Sequence, residues 1–219
     1  LSCYPNPDWD ESCDRSLVFV DAQEESLAQT RAFSTLHLAA TALIALFGGH
    51  DALLDDLARI PAVARDVLAN ATDLATRLGQ DTRFDRYYFL GSAERYGLAC
   101  ELSLKMKEMS ISHSEPFHFL EFRHGPISMA TKSALVVALI SESNREHELA
   151  VLEAARAFGA HVLALGERDV DVAYNSGLSE AAYNVLALPV GQLLAFEHAV
   201  SKGLNPDRPN NLEAVVELV

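Results

Sequence analysis

Glu101, Lys105 and Glu108 stand four and three residues apart in the run Glu101-Leu-Ser-Leu-Lys105-Met-Lys-Glu108, and His124-Gly125-Pro126 follows closely. Two carboxylates, an ammonium and an imidazole in so short a stretch are groups that move protons. A carboxylate can take a proton from carbon and return it, and an imidazole that titrates near neutrality can open a sugar ring. A cation beside a carboxylate favours its charged form. On a helix each residue turns about 100°, so these three positions fall within roughly 60° of one another. Leu98, Leu102 and Leu104 border the stripe, while Ser103, Lys107 and Ser110 lie opposite. Two polar faces separated by apolar positions predict that one meets water and the other a cleft. The same spacing also fits a surface i,i+4 pair between Glu101 and Lys105 worth about 0.3 kcal/mol, and spacing alone leaves both readings open.

Elements on either side must hold that helix in place. Tyr87–Leu90 reads as a short apolar strand, and Gly91-Ser92 turns from it into the helix. Residues 134–140 form a continuous branched apolar run, as expected of a strand buried on both faces of a parallel sheet. Residues 146–158 read as a helix closed by Gly159, 161–165 as a strand, 185–188 as another, and 192–201 as a helix. Strand and helix alternate over short connections, which predicts an α/β, doubly wound, mostly parallel sheet flanked by helices. Upstream, Leu17–Val20 reads as a strand, followed by an apolar helix ending at Gly48-Gly49. Residues 51–80 read as two linker helices, the second starting at Pro61. The prolines of 204–209 predict an extended tail. The expected division is 1–50, the end of a first module; 51–80, linker helices; 81–203, a complete second module; and 204–219, a tail. The chain opens at Leu1 in a turn-rich loop, which suggests a truncated first module.

Composition narrows the function classes. The 219 residues are 49% hydrophobic, enough for a sizeable core. A net charge of −14 argues against nucleic acid and against an anionic membrane surface as partners. Three cysteines, Cys3, Cys13 and Cys100, make no metal spacing and fit a reducing cytoplasm. No uninterrupted apolar run has the length of a membrane span, and no basic leader opens the chain. His113, Glu115 and His118 match no strong zinc pattern and include Pro116 between them, so a structural loop is expected and no metal. His198 is expected to be packed or hydrogen-bonded, and Asp55 and Asp56 to be a solvated face. Gly91-Ser92 at a helix start is a physically reasonable anion site, but Glu94 in the first turn would repel phosphate, so a structural turn is expected.

The run from Phe89 to Ile127, with its Glu101…Lys105…Glu108…His124-Gly125-Pro126 pattern, resembles the second sugar-isomerase (SIS) module of the isomerase half of glucosamine-6-phosphate synthase and its relatives. Glu24–Ser34 resembles the end of the first module of those proteins, and Asn205–Leu212 their C-terminal tail. The resemblance implies an SIS fold and interconversion of aldose and ketose sugar phosphates through an enediol, without a cofactor. By that resemblance Glu108 matches the base that moves a proton between C1 and C2, and His124 the ring-opening histidine supplied by a neighbouring subunit. Glu101 and Lys105 match polar residues beneath the base, and Leu27 and Gln29 fall where the family lines the sugar pocket. A cytoplasmic homodimer with a shared site follows. Two departures stand out. Ala214 occupies the place of the family's tail lysine, Lys202 being the only lysine nearby, and the Ser/Thr-rich phosphate loops of a first module are absent. A fructosamine-type deglycase, a regulatory sugar-phosphate-binding protein and a non-reacting structural fragment remain as alternatives.

Overall fold

The computed structural model describes residues 1–213, so Ala214 lies outside the described residues. Helix α1 (Pro7–Ser12) starts at Asn6, whose side chain accepts the Asp8 N–H. Helices α2 (Arg31–Gly48) and α3 (Asp51–Gly79) lead to the sheet. The sheet then builds in the order β1 (Arg86–Gly91), α4 (Glu94–Ser110), β2 (His113–Phe117), α5 (Phe119–Arg123), β3 (Ala134–Leu139), α6 (Arg145–Ala157), β4 (His161–Gly166) and β5 (Val172–Ala173). Helices α7 (Glu180–Tyr183) and α8 (Ala187–Ser201) complete it. The spatial order is β2-β1-β3-β4-β5, all parallel, with Tyr87 between Ser114 and Leu135.

The strands alternate their side chains between two apolar layers. Tyr87, Phe89, Leu135, Val137, Leu163 and Leu165 face a core shared with α3, α4 and α8. Tyr88, Leu90, Val136, Ala138 and Ile140 face a second core shared with α5 and α6. Residues of β3 are buried on both sides, as their unbroken apolar run requires. Helix α4 therefore lies on one face of the sheet, and the segment leading to His124 on the other. Because α4 runs back from the end of β1 to the start of β2, its last turn, with Glu108, sits at the N-terminal edge of the strands. Helix α8 packs closely on α4 at Gly191, where a Cβ would stand 2.6 Å from Leu102 Cδ2.

Several expectations are corrected. Residues 185–188 are helical, forming a 3₁₀ turn at Asn184–Leu186 that runs into α8. A short apolar run buried on all sides fits helix as well as strand, and Pro189 falls in the first turn of α8, where its missing N–H has no intrahelical partner to lose. Leu17–Val20 makes only one bridge, Val18 to Ser2, followed by a 3₁₀ turn at Val20–Ala22. Pro61 does not divide the linker. It sits exposed inside the continuous helix α3, with its ring turned from the core, while Ile60 and Val67 anchor the helix. His113–Phe117, expected as a loop, is the edge strand β2, a position that tolerates Pro116. Asp56 is not merely solvated: it accepts the Ser179 N–H at 2.9 Å, beside α7. Helix α2 is long and apolar enough, by length and composition, to cross a membrane; here it lies along α3, and Phe33 and Leu38 pack on the core.

Candidate active site

The stripe on α4 is buried. Glu101 is 7% and Lys105 4% exposed, which excludes the reading of a solvated surface pair. Lys105 Nζ donates to Glu108 Oε2 at 2.6 Å and lies 3.5 Å from Glu101 Oε1. One ammonium thus bridges two carboxylates. Glu101 Oε1 has no hydrogen-bond partner among the described residues. Burial pushes the Glu101 carboxyl above its ordinary range; Lys105 pulls it back and Glu108 adds to the rise. The Glu108 side chain, 21% exposed, is the member of the stripe that reaches the surface.

The opposite face of α4 meets water at Lys107 but not at its two serines. Ser103 and Ser110 are fully buried. Ser103 Oγ accepts from Ser114 Oγ of β2 at 2.9 Å and from Lys107 Nζ at 3.2 Å, so this face is stitched to the edge strand. The helix starts after Gly91, where a Cβ would stand 2.3 Å from the Arg95 carbonyl; this is the structural turn expected there.

Beside the last turn of α4 lies a cleft of about 230 Å³. Glu24, Ser26, Ala28 and Thr30 form one wall, Met109 and the α8 residues Gln192, Leu193 and Phe196 another, and Pro206 and Asp207 a third. Met109 is the chain neighbour of Glu108. The 24–30 segment contributes alternate residues, as extended chain does. Leu27 and Gln29 are therefore not lining residues: Leu27 donates its N–H to the Asp207 carbonyl at 3.4 Å, and Gln29 is exposed. The lining residues Glu24, Ser26 and Thr30 were missed, although polar positions at a period of two were visible in the sequence. Burial works to raise the Glu24 carboxyl, but hydrogen bonds from the Ala32 N–H and from Thr30 outweigh it and hold the group below its ordinary range. The lining carries two carboxylates and no basic side chain.

His124 is exposed after α5. Within one chain it stands across the sheet from Glu108, so the two are not brought together. His118 stacks on Tyr96 at 4.1 Å, and among the described residues no three His, Cys, Asp or Glu side chains gather as a metal site would need. His198 is buried, with Nδ1 2.8 Å from the Gly79 carbonyl and Nε2 3.1 Å from the Tyr87 and Ser112 hydroxyls, the hydrogen-bonded core histidine expected. Lys202 directs its ammonium to the end of α4.

The fold is an open, all-parallel α/β module flanked by helices. Residues 83–190 match the SIS domain family, and the chain carries an SIS domain over that stretch. It is 34% identical over 212 residues to a glutamine–fructose-6-phosphate aminotransferase (isomerizing) of Pyrobaculum aerophilum, covering 88% of this chain and 34% of that protein. A glucosamine-6-phosphate deaminase structure from Thermotoga maritima is 28% identical, with a TM-score of 0.76, covering 95% of this chain and 63% of that one. The C-terminal domain of glucosamine-fructose-6-phosphate aminotransferase from Francisella tularensis shares the fold at 22% identity, with a TM-score of 0.80, over 93% of this chain and 62% of that one. The chain thus spans about a third of the length of the curated relatives it matches.

Proposed function

We propose that this chain supplies the proton-transfer part of an isomerase site for a hexose or amino-sugar phosphate. The buried Glu101–Lys105–Glu108 ladder carries this reading, because it holds at its partly exposed end one carboxylate, Glu108, next in the chain to Met109 of the cleft wall. In the proposed reaction Glu108 takes the proton from C1 or C2 of the open-chain sugar and returns it to the other carbon, through an enediol. Lys105 holds Glu108 in place, and Glu101 holds Lys105. His124 opens the ring from a second copy of the chain, since its own Glu108 lies across the sheet. A second reading, release of an amine from an amino-sugar phosphate, is favoured by the cleft lining: two carboxylates and no basic side chain suit an ammonium better than a phosphate.

The test is exchange with solvent deuterium of a C1 hydrogen of fructose 6-phosphate, or of the C2 hydrogen of glucosamine 6-phosphate, followed by NMR. Exchange is expected from the native chain and a loss of about a hundredfold or more in Glu108→Gln. Equal exchange by both would show that Glu108 is not the base.

A further inference from the structure

The end of α4 carries a left-handed cap on a residue type that seldom adopts it. Ile111 closes the helix at φ 50° and ψ 47°, the left-handed region that glycine usually fills. A β-branched residue is out of place there. Three residues earlier stands Glu108. The carbonyls at this end have no helical partners and form the negative pole of the helix dipole.

Lys202 answers both features. Its Nζ donates to the Ser110 carbonyl at 2.6 Å, to the Ile111 carbonyl at 3.4 Å and to Ser112 Oγ at 3.1 Å. Its ammonium is thus directed at the carbonyls of the helix end. Partial desolvation at the helix end lowers its pKa from the ordinary lysine value, although the residue as a whole stays exposed. Ser112 also meets His198, whose ring is fixed to the Gly79 carbonyl at the end of α3. Just beyond Lys202, Gly203 turns the chain toward Pro206 and Asp207, which wall the cleft.

We propose that Lys202 is a positioning residue for the proton-transfer stripe. It clamps the strained last turn of α4, and so fixes the turn that carries Glu108 and, next to it, the cleft residue Met109. The role assigned to Glu108 rests on the proposed function; the clamp is tested without turnover.

The experiment compares the native chain with Lys202→Met, Lys202→Arg and Lys202→Met/Ile111→Gly. Amide hydrogen exchange and the carbon NMR resonance of the Glu108 carboxyl are read in each. In Lys202→Met, exchange at Met109, Ser110 and Ile111 is expected to rise about tenfold more than at β3. The Glu108 carboxyl resonance is expected to shift. Lys202→Arg is expected to restore both, and Ile111→Gly to restore amide protection by removing the strain. If Lys202→Met does not fold, the double variant is expected to; a double variant that stays unfolded overturns the clamp. Equal acceleration at α4 and β3, or an unshifted Glu108 resonance, also overturns the proposal. Failure of turnover in every variant, the native chain included, counts against the proposed function and leaves these readouts intact.

Discussion

Replacing Lys105 by methionine removes the one ammonium between two carboxylates, and the consequence can be worked from the geometry. At an effective dielectric constant near 20, attraction across the 3.5 Å to Glu101 is about 5 kcal/mol and across the 2.6 Å to Glu108 about 6 kcal/mol. Withdrawing three charges from water offsets most of that. Breaking such an arrangement costs more than the arrangement is worth, because Glu101 is left buried beside a like charge. Broken buried pairs cost about 3–5 kcal/mol, a fall in Tm of about 6–20 °C for a chain of this size. The loss should depend on pH. Burial raises the Glu101 pKa, so the native state holds this proton more tightly than the unfolded chain does. Stability from that group is complete below the unfolded value of 4.5 and declines as pH rises through the raised native value. Without Lys105 the native value moves higher still, so the deficit of Lys105→Met should widen from about pH 5 to about pH 8. Urea denaturation at the two pH values measures it, and Glu101→Gln in the same background should recover most of the loss. A deficit under about 1 kcal/mol with no pH trend would refute the buried ladder and return the pair to the class of surface ion pairs.

Two further outcomes follow from the packing. His198 is buried with its pKa lowered, so its stability contribution is complete above the ordinary value of 6.5 and is lost as pH falls toward the depressed native value. Thermal melts of the native chain should weaken on acidification through this range, and His198→Phe should lose that part of the slope. Gly191→Leu should cost about 1–3 kcal/mol in urea melts, since its added carbons meet Leu102 in a filled core; an unchanged midpoint would mean that α8 and α4 are less closely packed.

What was legible in the sequence was whatever one element decides by itself. Strands β1, β3 and β4 are short buried runs bounded by turns, and Glu101, Lys105 and Glu108 share a helix face through backbone geometry alone. The misreadings arise where a neighbour decides. Val185–Leu188 is apolar throughout, so its periodicity was silent, and packing on α3 and α4 made it helical. Strand β2 is polar and holds a proline, because an edge strand is paired on one side only. Leu27 and Gln29 missed the cleft by one position, since extended chain reverses its side chains at each residue. Ser103 and Ser110 looked solvated because their partners, Ser114 and Ser112, belong to the following strand and turn. Lys202 and the end of α4 are distant in sequence and meet only once α8 has docked.

In the proposed site the base and the ring-opening group come from two copies of the chain. Mixing Glu108→Gln and His124→Ala chains puts this to the test. In a twofold dimer, random reassortment of the two inactive chains gives about a quarter of the sites with both groups intact. Inactive parents are expected, and a mixture that recovers about a quarter of the native isomerase or deaminase rate. A mixture that stays as inactive as its parents, from chains shown by sedimentation to exchange, would contradict it.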